Sequence, residues 1–101
     1  MKADYSKEFE KSLKKLSGKT LDSVRRVIVE AKQANDIKDI TACTKLIGYR
    51  SIYHIRIGDY RAFFTFYVEI TNDTVKFKYL FPRGEAYGKK VKTELKRIDR
   101  E

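Results

Sequence analysis

Apolar and polar residues alternate through much of the stretch from Tyr49 to Arg83, YRSIYHIRIGDYRAFFTFYVEITNDTVKFKYLFPR. Three runs rich in β-branched and aromatic residues are separated by two turn signals, Gly58-Asp59 and Asn72-Asp73. The pattern predicts three antiparallel strands. Glycine at the first central position of a two-residue loop suits a type II′ hairpin turn. A loop at Gly58-Asp59 sets Ile57 opposite Tyr60, Arg56 opposite Arg61, Ile55 opposite Ala62 and His54 opposite Phe63. A loop at Asn72-Asp73 sets Thr71 opposite Thr74, Val68 opposite Phe77, Tyr67 opposite Lys78 and Phe66 opposite Tyr79. Paired residues share a face, and faces alternate along each strand. One face then collects Tyr53, Ile55, Ile57, Tyr60, Ala62, Phe64, Phe66, Val68, Ile70, Val75, Phe77, Tyr79 and Phe81, which is a core. The other collects Ile52, His54, Arg56, Arg61, Phe63, Thr65, Tyr67, Glu69, Lys76, Lys78 and Leu80. A one-residue slip would exchange the faces, and the two turn assignments independently put apolar groups on the same side.

Upstream, the period lengthens. Met1 to Tyr5 reads as an edge strand ending at Asp4 or Tyr5. Ser6 is a candidate helix N-cap, with Glu8 favourable in the first turn. Phe9, Leu13 and Leu16 then recur at helical spacing, and Gly18 reads as the terminator of that helix. Leu21, Val24, Val27, Ile28 and Ala31 form the stripe of a second helix that fades near Asn35-Asp36. The short link predicts an antiparallel helix pair, whose stripes need the apolar sheet face as partner. Asp36 to Thr44 reads as a connection with Ile37 and Ile40 tucked under the helices, and Lys45-Leu46-Ile47 as the start of the first well-formed strand. Pro82 stops the ladder and Gly84 to Tyr87 turns the chain. Tyr87, Val91, Leu95 and Ile98 mark a last, lysine-rich amphipathic helix. The expected architecture is α+β, an N-terminal helix pair packed on a small antiparallel sheet with a C-terminal helix, in one domain spanning 1–101.

Charge changes the picture. The chain has 101 residues, with 23 Lys plus Arg against 14 Asp plus Glu, for a net charge of +9. Such an excess on a small body suits a polyanionic partner. No apolar run is long enough to span a membrane and no signal peptide pattern is present. The single cysteine, Cys43, forms no disulfide within the chain, so a reducing cytoplasm is expected. One His and one Cys build no zinc site, and no metal or other cofactor is expected. Ser17-Gly18-Lys19-Thr20 ends like a phosphate-binding loop, but Leu13 stands where that loop needs its first glycine. The stronger chemical signal is the second sheet face. His54, Arg56, Arg61, Lys76 and Lys78 share it with Phe63 and Tyr67. Cations for phosphates and rings for bases are what single-stranded RNA recognition needs. Phe63 and Tyr67 are equally read as half-buried packing residues at this point.

Leu46-x-Gly48-x-Arg50-x-x-Tyr53-x-Ile55-Arg56-Ile57-Gly58-Asp59-Tyr60-Arg61, followed by Pro82-Arg83-Gly84-Glu85-Ala86-Tyr87, resembles the RelE/ParE toxin superfamily of bacterial type II toxin–antitoxin systems. Tyr5-Ser6-Lys7-Glu8-Phe9 with Leu13 and Leu16 is similar to its opening helix. The resemblance implies a RelE-like fold and a growth-inhibiting, metal-independent endoribonuclease that cuts mRNA, in many relatives at the ribosomal A site. Cleavage by 2′-hydroxyl attack needs a base, cations for the developing charge, and an acid for the leaving oxygen. The resemblance assigns these tasks to His54, Arg56, Arg61, Arg83 and Tyr87; the make-up of the sheet face adds Phe63, Tyr67, Lys76 and Lys78 as expected RNA contacts. Here His54 stands where lysine or arginine is common, and Pro82 where many relatives have histidine. The implied partners are mRNA and a cognate antitoxin, and operator DNA for the complex of the two. A ParE-like gyrase poison and a catalytically silent RNA- or protein-binding module of the same fold are the alternatives. The full cationic set favours the ribonuclease.

Overall fold

The computed structural model describes the backbone of residues 1–67 and 74–99 and the side chains of 1–63 and 74–99. The element order is β1 (Lys2–Tyr5), α1 (Lys7–Lys14), α2 (Gly18–Gln33), β2 (Cys43–Lys45), β3 (Ile52–Ile57), β4 (Tyr60–Tyr67), β5 (Thr74–Pro82), α3 (Arg83–Ala86) and α4 (Lys89–Asp99). The strands form one sheet in the order β1-β5-β4-β3-β2. All neighbours are antiparallel except β1, which runs parallel to β5. This is the expected α+β layout.

Ser6 shows how sequence becomes local structure. Its hydroxyl accepts the Phe9 N–H at 3.0 Å, capping α1. The same hydroxyl donates to the Lys78 carbonyl at 2.6 Å, and the Ser6 N–H donates to Phe77 O at 2.9 Å. The cap therefore also ties α1 to β5. Gly18 does not end α1, which stops at Lys14; it opens α2, at a φ of 58° that a glycine adopts without steric cost. The strand expected at Lys45-Leu46-Ile47 is displaced upstream. Only Lys45 of the three belongs to β2, and Ile47 lies in a turn at 96% exposure.

The β3–β4 register is the expected one, with Arg56 opposite Arg61 and His54 opposite Phe63. Gly58 has a φ of 56° and Asp59 is not left-handed, as a II′ turn requires. The β4–β5 register differs. Phe66 faces Val75 and Phe64 faces Phe77, whereas Phe63 faces Tyr79. Lys78 is thus the extra residue of a β-bulge, and it reverses the alternation beyond it. Leu80, expected among the cations, points into the core under α1 and α2. Tyr79 and Phe81, expected in that core, belong to the opposite side. The expected Asn72-Asp73 loop and the pairings of Val68 and Thr71 lie outside the described residues.

Two apolar clusters result. The larger joins Phe9, Val24 and Ala31 of the helices to Ile55, Ile57, Ala62, Val75, Phe77 and Leu80. The smaller, on the other face, packs Val91, Leu95 and Ile98 of α4 and Ala86 of α3 against Ile52, Phe63 and Tyr79. The C-terminal helix thus covers part of the face that alternation leaves to solvent. It is held there by Asp99, whose carboxylate accepts the backbone N–H groups of Arg50 and Ser51 at 2.8 Å each and the Ser51 hydroxyl at 3.0 Å. Lys96 adds a bond to Gly48 O at 2.7 Å and lies over the Tyr49 ring.

Phe9 is fully buried between Tyr5 and Phe77, with ring centroids 6.0 and 5.2 Å away. Phe9→Ala is expected to cost about 3–5 kcal/mol in denaturant unfolding. A loss below about 1 kcal/mol would contradict this packing. Burial by itself raises the Asp99 carboxyl, but the bonds from Arg50 and Ser51 and the Arg50 charge outweigh it and hold the group below the usual carboxylate range. Its contribution is complete above the ordinary value of 3.8 and disappears as pH falls through the lower folded value. The stability gap between the parent and Asp99→Asn is expected to narrow below about pH 4; a gap constant from pH 7 to 3 would contradict that.

Candidate functional site

The part of this sheet face that α4 leaves open centres on His54. The β3–β4 hairpin places His54 directly opposite Phe63. Phe63 is 0% exposed, so it packs beneath His54, ring centroids 6.1 Å apart, and offers no surface on which a base could stack. The expectation of an RNA-stacking Phe63 is corrected here, because α3 and α4 cover that ring. Pro82 ends β5, and α3 then carries the chain across to Tyr87, which is 45% exposed. The Tyr87 hydroxyl lies 3.0 Å from His54 Nδ1, and the two rings meet edge to face. Two residues 33 apart in sequence thus form one hydrogen-bonded pair at the surface.

The three arginines differ. Arg56 is exposed on β3, and Arg83 is exposed at the start of α3. Arg61 stands opposite Arg56 as expected, yet it is only 7% exposed. Its Nη1 donates to Gly58 O and Tyr60 O, both at 2.8 Å. Lys76 and Lys78 do not join the His54 pair. Lys76 lies level with Thr65 and Ile52, and Lys78 is the bulge residue beside Ser6. The side chain of Tyr67 lies outside the described residues. Alternation alone could not separate these positions, because it carries no information about where a later helix crosses the sheet.

Burial, and after it the Arg61 charge, holds the His54 imidazole below the usual histidine range. Near neutral pH the ring is therefore uncharged and can take a proton. Cys43 behaves oppositely for nucleophilic work, since burial pushes its thiol up to about 11. Among the described residues, no group of three His, Cys, Asp or Glu side chains could hold a metal ion. No helix among them is long and apolar enough to cross a membrane. The site offers one neutral imidazole, one phenol and two exposed guanidinium groups, with a third guanidinium behind them.

His54 is the chain's one histidine, so its ring signals in a proton NMR titration are unambiguous. A midpoint below 6.5 is expected; one at or above 6.5 would contradict the described surroundings. Because the folded value is the lower one, stability from this group is full above 6.5 and falls as pH drops through the folded value.

No family model matches the chain. It is 32% identical over 88 residues to Toxin RelE3 of Methanocaldococcus jannaschii, which covers 86% of this chain and 96% of that protein. The fold is similar to that in the RelB-RelE antitoxin–toxin complex from Methanococcus jannaschii, with a TM-score of 0.67, 25% identity, and 83% of this chain and 94% of that chain covered. A mutant of the E. coli toxin RelE in the free state shares the fold at a TM-score of 0.68 and 19% identity, covering 96% of this chain and 95% of its own.

Proposed function

Given that the chain belongs to the RelE toxin family, we propose that it is the toxin of a type II toxin–antitoxin pair and an endoribonuclease that cleaves mRNA by 2′-hydroxyl attack. The observation that carries this reading is the His54–Tyr87 pair, 3.0 Å apart, with exposed Arg56 two residues along the same strand and exposed Arg83 at the start of the helix that leads to Tyr87. With Nδ1–H donating to the Tyr87 oxygen, Nε2 holds the lone pair that accepts the 2′-hydroxyl proton. The 2′-oxygen forms a bond to phosphorus and the bond from phosphorus to the 5′-oxygen breaks. The Tyr87 O–H gives its proton to that leaving oxygen, and the Nδ1 proton passes to the phenolate. The pair ends neutral, with the proton on Nε2, and the RNA ends as a 2′,3′-cyclic phosphate and a 5′-hydroxyl. Arg56 and Arg83 supply positive charge where the phosphorane becomes more negative.

An antitoxin partner is part of the same reading. Relatives were solved as RelB-RelE complexes from Methanococcus jannaschii and Pyrococcus horikoshii. A net charge of +9 suits an acidic protein that shields the site.

Expression of the chain alone in bacteria is expected to arrest growth and to create new 5′ ends within codons of translated messages. His54→Ala should lower the cleavage rate ~100–10,000-fold, and Arg56→Ala ~100–1000-fold. New ends that vanish when translation is blocked would mark the ribosome as the place of cleavage. Arrest with intact messages and trapped DNA cleavage complexes would replace this reading with gyrase poisoning. A folded protein that causes no arrest would leave only a silent binding module. Co-expressed with the product of the adjacent gene, the chain should purify as a stable complex; separate elution would refute the pairing.

A further inference from the structure

Helix α4 borders the open part of the sheet face. It begins at Lys89, two residues after Tyr87, and ends at Asp99, which binds Arg50 and Ser51 just before β3. Helical spacing puts Lys89, Lys92 and Lys96 on one stripe, about one per turn. Lys96 fixes which way that stripe looks. Its Nζ donates to Gly48 O at 2.7 Å and lies 4.3 Å from the Tyr49 ring centroid, so the stripe is on the flank toward the β2–β3 connection. An ammonium has three donors, and one carbonyl leaves two of them for a ligand. Lys89, Lys92, Thr93, Lys96 and Arg97 line one shallow depression. The helix carries two acids, and both are engaged elsewhere. Glu94 is held on the other flank by Arg97 at 2.8 Å and the Tyr79 hydroxyl at 3.1 Å, and Asp99 is buried under Arg50 and Ser51. Among the described residues, Lys89 and Lys92 have no acidic partner. Nor does stability account for them. They stand in a first turn that has no acid, where cations oppose the helix dipole.

We infer that the stripe of Lys89, Lys92 and Lys96 binds phosphates of the substrate RNA on one side of the cleaved bond, an inference that rests on the ribonuclease reading for the identity of that RNA. A strand held at His54 and Tyr87 that continues past Tyr87 meets Lys89 first, then Lys92 and Lys96 over a further rise of about 10 Å. A nucleic-acid backbone repeats one negative charge per nucleotide, which cations at regular intervals match without reading the bases. The stripe presents no apolar side chain, whereas a protein partner docks around a desolvated apolar or aromatic anchor. The face therefore fits an RNA backbone better than a protein segment. Lys96, held by a carbonyl and a ring, is ordered before the ligand arrives, which lowers the entropic cost of binding.

The test measures binding to a single-stranded RNA blocked by a 2′-deoxy substitution and lengthened on one side of the blocked bond or the other, across a salt series. The parent is compared with the double variant Lys89→Gln/Lys92→Gln and with Lys90→Gln, a lysine of the same helix that faces Glu94. Lys96→Gln also loses the Gly48 bond, so the double variant carries the test. It should flatten the log–log salt slope by about 1.4, two phosphate contacts at about 0.7 each, while Lys90→Gln keeps the parent slope. Lengthening the RNA on one side alone should tighten binding by the parent and not by the double variant. In cleavage the double variant should show a raised KM with kcat unchanged, the mark of binding shared by ground and transition states. Its unfolding midpoint should stay or rise, because two cations that oppose the dipole are gone. A lowered midpoint together with lost affinity would make the lysines structural and overturn the inference. So would a parent that does not bind the RNA, or a double variant with the parent slope; if that variant also no longer purifies with the product of the adjacent gene, the face belongs to an acidic protein. A parent whose slope depends on Lys89 and Lys92 but which cuts no RNA would sink the ribonuclease reading and uphold the phosphate stripe. A parent that cuts messages with a KM the double variant leaves unchanged would do the reverse.

Discussion

The hairpin tip at Gly58-Asp59 sets everything built on this sheet. A left-handed φ of 56° at Gly58 allows a two-residue loop, and that loop permits one register between β3 and β4. The register puts Ile55, Ile57 and Ala62 under the N-terminal helices and His54, Arg56 and Arg61 on the other side. Shifted by one residue, the same strands would bury charges and expose the core. The tip is also where Arg61 and Arg83 converge on three neighbouring carbonyls. Register, helix placement and site geometry thus share one turn.

A second constraint works from the far side of β4. The extra residue at Lys78 reverses the alternation of β5, so Leu80 enters the larger core and Tyr79 turns toward α4. There the Tyr79 hydroxyl donates to Glu94 at 3.1 Å and accepts from Arg97 at 3.3 Å, which keeps its polar end satisfied while the ring is buried. Without that reversal, α4 would find Leu80 where it now finds Tyr79. The bulge carbonyl is itself taken by Ser6, so the cap of α1 and the irregularity of β5 depend on each other.

The division of the second face explains how a small, strongly cationic chain can combine a packed body with an open site. Half of the face is apolar under α4, where Phe63 serves as a floor. The rest holds a phenol and an imidazole in contact, with the exposed guanidinium of Arg56 on the same strand face. A buried ring beneath His54 restrains the imidazole and removes water from one side of it. The loss of water favours its neutral form, which is the form a proton acceptor requires.

Period and turn chemistry by themselves determined the helices around Phe9 and Val24, the β3–β4 pairing, the α+β class and the concentration of cations on one face. These are local properties, because alternation and helical spacing act between residues a few positions apart. The family resemblance added Arg83 and Tyr87 as companions of His54. Only the tertiary structure decided which members of that face meet. The bulge at Lys78 is not marked by the sequence of β5, because Tyr79, Leu80 and Phe81 beyond it are apolar whichever face each takes. The contact of Tyr87 with His54, and the burial of Phe63, follow from where α3 crosses the sheet and α4 lands. That path is set by packing between segments far apart in sequence, and pattern along the chain does not encode it.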